Sequence, residues 1–414
     1  MGSYYPRTLQ FFMKELSSYS RQKYKLSCNI SQSQTLQAGN TLIVPLPQNS
    51  IVDLDTLVWY FKGYTNGAGV GFPQHVETII QSLAFEVNGQ MIDNVREFPT
   101  LWRRLADFTM GADKAFSRNV LCSGAQWTSA SLSNATTHTS STQFAVYNWG
   151  LGFLATAQPR CIDTSLLGDC RIHITLAPNS VLPKSSWGAG VSSPSYTITD
   201  NYFCVDCLTL DPLYYELVNK RLASSEMPIQ IPFQTFTVFS QGTCSLDQTT
   251  TGTIATGSLD CLVGTYKDSN WSLGTLNSNV ASSCYFKTGS SNLGSSRFSI
   301  NNIEFPAFKQ VPANAFVGTL QALGVANDAN GGSDTNCQSL SAYTNDFFFH
   351  MLRLNHPTGT DERVRSGLNL RGTNSTISFT TEASTAEAGI TPYLYAGHTS
   401  VLEIKPFKQI QLVR

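Results

Sequence analysis

Apolar and polar residues alternate along several stretches of this chain. Tyr24, Leu26, Cys28 and Ile30 alternate with Lys23, Lys25, Ser27 and Asn29. Cys170, Ile172, Ile174 and Leu176 alternate with Arg171, His173 and Thr175. Near the C-terminus Leu402, Ile404, Ile410 and Leu412 share one parity, and Glu403, Lys405, Gln409 and Gln411 the other. A period of two buries one face of an extended strand and wets the other, so these stretches predict strands of antiparallel sandwiches. Pro406 interrupts the last stretch and predicts a kink or an edge position. Further strands are predicted at 41–46, 54–62, 144–153, 197–209, 234–239, 259–266, 297–305, 347–354 and 376–380.

Asn88-Gly89 is the strongest turn signal, joining a strand over 83–87 to one over 90–95. A two-residue Asn-Gly loop supplies the positive φ angles of a type I′ hairpin. In that register Phe85 and Ile92 fall opposite each other. Nothing resembles repeated βαβ units, which argues against a doubly wound nucleotide-binding fold.

Three segments follow a helical period instead. Residues 7–18 place Leu9, Phe12, Met13 and Leu16 on one stripe, an amphipathic arm. Residues 99–108 do likewise with Leu101, Trp102, Leu105 and Phe108. The third runs from Asp211 to Glu226, with Asp211 as N-cap, Pro212 in the first turn and an end before Pro228. It lies just past the midpoint, with β-rich sequence on both sides.

Length and composition sharpen the picture. The 414 residues suggest two or more domains. Eight strands of about six residues need only some fifty residues per sandwich, so much of each half is loop. The Ser/Thr/Gly-rich stretches 123–143, 183–196, 242–257, 288–296 and 324–345 are the loop candidates. Hydrophobic residues make up 41% and charged residues 13%, which excludes a disordered chain. An ordinary soluble domain is about one quarter charged. A surface so poor in charge favours association. The net charge of −1 carries no overall basic excess for condensing nucleic acid. The N-terminal arm is the exception, holding Arg7, Lys14, Arg21, Lys23 and Lys25 against Glu15 through position 25. Those interruptions deny the N-terminus the apolar core of a secretory signal, and no run approaches a membrane span.

Candidate chemistry is sparse. Ten cysteines are scattered, and Cys28 and Cys170 keep the apolar parity, as small core residues do. Cys204 and Cys207 form a lone CxxC; on a strand they face opposite sides, and no second pair completes a zinc site. Neither metal nor cofactor is predicted. His173 falls on a polar parity and predicts a solvent-facing or loop-covered ring, while His350 predicts a satisfied core or interface histidine. His75, His138, His356 and His398 sit near predicted turns, loops or strand ends. No P-loop is present; the glycine-rich run 63–71 lacks its GK[ST] ending and reads as a loop. Trp59-Tyr60-Phe61 and Phe347-Phe348-Phe349 read as strands buried on both faces, between sandwiches or subunits. Asn29, Asn134, Asn270 and Asn374 begin glycosylation sequons read as unused. Glu97-Phe98-Pro99 recurs as Glu304-Phe305-Pro306, 207 residues on, an echo short enough for chance.

This arrangement resembles the double jelly-roll major capsid proteins of adenovirus-like and tailless icosahedral DNA viruses. IIQSLAFEVNGQMIDNV followed by PTLWRRLADF is similar to the middle hairpin and following helix of a first roll. CIDTSLLGDCRIHITLAPNSVL and YTITDNYFCVDCLTLDPLYYELVNKRL are similar to its last strands and a connecting helix. IPFQTFTVF would open a second roll and SVLEIKPFKQIQLV close it.

The resemblance implies an all-β protein of two tandem eight-stranded jelly-roll sandwiches with long loops and a few short helices. It divides the chain into an arm at 1–20, a first roll at 21–210, a connecting helix at 211–227 and a second roll at 228–414. It also implies a non-enzymatic protein that forms homotrimers, then packs with neighbouring capsomers and with minor capsid or penton proteins in a virion; the host receptor stays unassigned. Arg7, Leu9, Phe12, Met13, Lys14 and Leu16 would make assembly contacts, docking on a neighbouring capsomer or reaching an internal membrane or the genome. Two other classes stay open: a multi-sandwich surface adhesin or carbohydrate-binding protein, and a β-rich hydrolase.

Overall fold

The computed structural model describes residues 20–66, 70–110, 121, 142–182, 194–209, 229–268, 284–325, 340–355, 367–372, 375–405 and 409–414. The predicted helices at 7–18 and 211–226 lie outside them. So do His138 and His356.

Among the described residues, nine strands form the first half: β1 (Ser20–Leu26), β2 (Thr41–Pro45), β3 (Ile51–Thr65), β4 (Ile80–Val87), β5 (Gln90–Arg96), β6 (Thr142–Val146), β7 (Cys161–Asp163), β8 (Cys170–Leu176) and β9 (Tyr196–Thr209). They build two antiparallel sheets in the orders β1-β9-β3-β6 and β2-β8-β4-β5, with β7 added beside β3. The second half contributes β10 (Ile229–Ser240), β11 (Cys244–Ser245), β12 (Gln248–Ile254), β13 (Leu259–Asp268), β14 (Leu293–Ile300), β15 (Ile303–Gln310), β16 (His350–Arg353), β17 (Ser375–Ala383), β18 (Ala388–Lys405) and β19 (Gln409–Val413). Its sheets are β10-β18-β13-β16 and β12-β17-β14-β15, with β11 and β19 added beside β18.

Setting aside β7, β11 and β19, the eight remaining strands of each half follow one order, 1-8-3-6 facing 2-7-4-5. That is a jelly roll, twice. The sandwich cores are aromatic: Trp59, Phe61, Phe72, Phe144 and Phe203 fill the first, and Phe298 and Phe379 lie in the second.

The Asn88-Gly89 hairpin forms as expected, with φ of +50° and +80° at the two turn residues. Its register differs. A β-bulge between Phe85 and Glu86 sets Phe85 opposite Asp93, not Ile92. The extra residue flips the pleat, so Asp93 is carried inward and is only 4% exposed.

Helix α1 (Phe98–Thr109) follows β5, and a second twelve-residue helix, α2 (Pro312–Leu323), follows β15; each carries proline in its first turn. The internal repeat therefore equates Phe98-Pro99 with the start of α2. Glu304-Phe305-Pro306 lies inside β15 and is not its counterpart.

Several expectations need correction. The strand expected over 297–305 is the end of one strand and the start of the next, because Asn301 and Asn302 take φ of +51° and +66° and turn the chain. The loop expected at 242–257 contains β12, where Thr250, Gly252 and Ile254 are buried and Thr249, Thr251 and Thr253 exposed. The stretch 144–153 is extended only to Val146, and Phe153 begins a helical turn instead. Residues 63–65 continue β3 and are not loop. The C-terminal stretch is two antiparallel strands, with Leu402 opposite Leu412 and Ile404 opposite Ile410. Shared parity there reflects cross-strand partnership. In β1 the strand stops at Leu26, and Tyr24, expected inside, is 41% exposed.

Candidate functional site: the junction between the rolls

Among the described residues, most of the buried charged side chains lie where the two rolls meet. Strand β5 is an edge of its sheet and β10 is an edge of its own; the two edges lie side by side. Asp93 on β5 accepts a hydrogen bond from the Thr235 hydroxyl on β10. Its other oxygen accepts from the Phe153 backbone N–H at 2.6 Å. Gly152 is required beside it, because a β-carbon there would strike the Asp93 carboxylate and because its φ is +75°. Gln158 N–H donates to the Pro232 carbonyl at 3.0 Å, and the Phe153 and Phe233 rings meet edge to face at 5.1 Å. Burial pushes the Asp93 carboxyl up to about 6, although hydrogen bonds from Thr235 and from the Phe153 and Asn94 backbone, and the Arg414 cation, act against it.

Helix α1 is wedged deeper in the same junction. Its expected stripe is buried at Leu101, Trp102 and Phe108 and half-buried at Leu105, but Arg103, Arg104 and Asp107 are buried too, all three 3% exposed or less. Asp107 receives Arg103 Nε and Arg104 Nη1 at 3.0 Å each, and His75 Nε2 lies 3.5 Å away. Burial alone would raise the Asp107 carboxyl; Arg103, His75 and Arg104 together hold it well below the usual range. The second roll closes over this cluster. Phe286 lies under Arg103 and Phe347 under Arg104, at 5.6 and 4.8 Å from the guanidinium carbons. Phe108 packs against Phe349 and against Tyr343, which stands on helix α3 (Leu340–Asp346).

A third group links Glu97, the N-cap of α1, to Lys267 of β13 at 3.3 Å. Lys267 is fully buried and lies 3.8 Å from the centre of the Tyr285 ring. Gln81 donates to Glu97 at 2.8 Å and accepts from Tyr285 at 3.2 Å, and the Tyr395 hydroxyl donates to the Glu97 carbonyl. Burial draws the Lys267 ammonium down to about 8 against the pull of Glu97. Such charges tolerate burial only while paired, so the junction depends on keeping both rolls in register.

The histidines fall into place. His350 is buried between Phe298 and Phe379, with Nδ1 2.9 Å from the Ser296 hydroxyl. This Ser–His contact resembles half of a nucleophile pair, but both residues are sealed in the second sandwich and burial drives the imidazole down to about 3. His173 pairs with Glu86 at 2.9 Å on a partly open strand face. His398, expected near a turn or strand end, is buried within β18. His75, also expected near a turn, precedes a short helical turn and is fully buried.

Cys204 and Cys207 take opposite faces of β9, Cys207 buried and Cys204 half-buried. Cys170 is buried, whereas Cys28, expected in the core, is half-buried. Trp59 and Phe61 are fully buried while Tyr60 stacks on Tyr202 at 5.2 Å; Phe347, Phe348 and Phe349 are all buried. Among the described residues no three His, Cys, Asp or Glu side chains gather as a metal site, and no helix is long and apolar enough to cross a membrane. Arg7, Leu9, Phe12, Met13, Lys14 and Leu16 lie outside the described residues.

Fold and junction together define a double jelly-roll protein. Among the solved structures similar to it are viral capsid proteins. PBCV-1 VP54, as fitted into a reconstruction of the virophage Sputnik, matches with a TM-score of 0.61 at 15% identity, covering 97% of this chain and 98% of that one. The Faustovirus major capsid protein matches at 0.55 and 11%, covering 97% and 92%. The mavirus major capsid protein matches at 0.51 and 10%, covering 94% and 89%. At such identities the likeness establishes the fold. No protein-family profile matches the chain, and no curated protein sequence does.

Proposed function

We propose that this chain is a major capsid protein that catalyses nothing. Copies associate as homotrimers whose six rolls make a pseudo-hexagonal block, and the blocks tile the icosahedral shell of a virion. One observation carries the reading: two rolls of identical strand order are locked edge to edge by buried charge and aromatic rings within one chain. That is one third of a six-roll ring already built. The full-length likeness to major capsid proteins supports it, as does the low charge content of 13%.

The arm at 1–20, a first roll at 21–210, a linking helix at 211–227 and a second roll at 228–414 form the working plan of this protomer. Arg7, Leu9, Phe12, Met13, Lys14 and Leu16 dock the arm on a neighbouring capsomer. Minor capsid or penton proteins complete the shell, and an internal membrane or the genome is the other destination for the arm. Light scattering of the full chain tests the reading: a robust trimer is expected, with hexagonal arrays under negative stain at high concentration. A monomer that persists at micromolar concentration, or one that binds glycans, overturns it. Deleting residues 1–20 should spare the trimer and impair shell assembly; normal particles from that deletion refute the role of the arm.

A further inference from the structure

Strand β1 does not run the length of its neighbour. It pairs with β9 only as far as Leu26, opposite Phe203. The chain returns to the edge of β9 at Leu36, which exchanges backbone hydrogen bonds with Ile198 at 2.8 and 2.9 Å. Between those two points Asp200 takes φ of +50°, and the pairing of β9 with β3 shifts register. Residues 27–35 arch away from the sheet edge, and a cavity of about 220 Å³ lies beneath the arch. Asn201 and Tyr202 are neighbours on opposite faces of β9, and the open edge lets both line this space.

Two side chains of the cavity are unfinished. Asn201 is 2% exposed, and its amide nitrogen has no hydrogen-bond acceptor among the described residues. Its amide oxygen faces the Cys28 thiol at 3.3 Å, which leaves the nitrogen as the free end. Buried polar groups are nearly always paired, so a buried donor of this kind marks a place for an acceptor. Lys25 brings charge. Its ammonium donates to the Gln32 side-chain oxygen at 3.0 Å and lies 4.4 Å from the centre of the Tyr202 ring. An ammonium has three donors, and neither contact neutralises it. Neighbouring cations of the same sheet are opposed by carboxylates: Arg21 and Lys23 by Asp206, and Lys62 by Asp200. Among the described residues no Asp or Glu lines the cavity beside Lys25.

We propose that this cavity binds a small oxyanion, a phosphate or sulfate group that is free or the ester of a monosaccharide. Lys25 supplies the positive charge and Asn201 the buried donor, a pairing that favours an anion and repels a cation. The volume falls below the roughly 300–1,000 Å³ of pockets for drug-sized ligands, so the ligand is small. Leu26, Ile30 and Tyr202 provide an apolar wall for the ring of a sugar ester. The site belongs to the first roll alone and goes beyond the shell-forming role.

Calorimetric titration of the full chain with inorganic phosphate tests this. Wild type should bind saturably, with a single phosphate per chain. Lys25→Gln, at an exposed position, should weaken binding about tenfold through loss of a charge-assisted hydrogen bond. Asn201→Asp keeps the shape but replaces the donor with a carboxylate, and should abolish binding. Lys23→Gln removes a cation already paired with Asp206 and should bind as wild type does. No saturable binding at millimolar phosphate overturns the proposal. So does undiminished binding by Lys25→Gln or by folded Asn201→Asp, and so does an equal loss in Lys23→Gln, the mark of diffuse surface attraction. Should Asn201→Asp fail to fold by its far-ultraviolet spectrum, Lys25→Gln against Lys23→Gln decides. Glucose 6-phosphate separates the two sources: tighter binding than inorganic phosphate assigns the site to the ester, and weaker binding assigns it to the free ion.

Discussion

Asp93 should destabilise this protein at neutral pH, and replacing it with asparagine should stabilise it. Folding moves its carboxyl from an ordinary 3.8 to about 6. The folded state therefore holds that proton more tightly than the unfolded state does. The stability contributed by the protonated group is complete below about 3.8 and is lost as the pH rises through 6. At about 1.4 kcal/mol per pKa unit, the difference amounts to roughly 3 kcal/mol above pH 6. Asparagine keeps the geometry: its carbonyl oxygen can accept from Phe153 N–H, and its amide can donate to the Thr235 hydroxyl. Denaturant unfolding of Asp93→Asn and wild type, at matched protein concentration, should show a gap favouring the variant at pH 7.5 that closes toward pH 4. A variant no more stable than wild type at pH 7.5, or a gap that does not change with pH, refutes the reasoning.

Other outcomes follow from the same junction. Asp107→Asn strands Arg103 and Arg104 without their carboxylate, and denaturant unfolding should show a loss of about 3–5 kcal/mol. Because the Asp107 carboxyl is held low, wild-type stability from this cluster should persist above the ordinary carboxylate pKa and fade on acidification below it, a dependence the variant should lack. Phe108→Ala removes the ring that packs on Phe349 and Tyr343 across the junction and should cost about 3–5 kcal/mol in the same assay.

Much of the fold was legible because a half-buried strand writes its two faces into the sequence. The stretches 41–46, 170–176 and 197–209 match β2, β8 and β9 within a residue. The Asn88-Gly89 turn was readable from its chemistry, since few residue pairs accept two positive φ angles. Asn301-Asn302 makes the same kind of turn without glycine and passed for strand interior. Strand β12 passed for loop because threonine fills both its faces and hydrophobicity does not alternate there. The bulge at Phe85 left no signal. Only the ladder of partners shows that Asp93, a polar residue by every local measure, points inward.

The junction itself was the least legible part. Arg103, Arg104 and Asp107 look like the wet side of an amphipathic helix, and in the first roll alone they would lack the cover of Phe286 and Phe347.

The order of apolar and polar residues by itself determined many of the extended segments, that both halves are β-rich, and that 99–108 is an amphipathic helix. The tertiary structure alone decided which charges are buried, which sheet edges meet and which stay open. Periodicity records how a residue divides between water and interior within its own strand or helix. Whether Lys267 is tolerable inside depends on Glu97, 170 positions away, and no local pattern carries that distance.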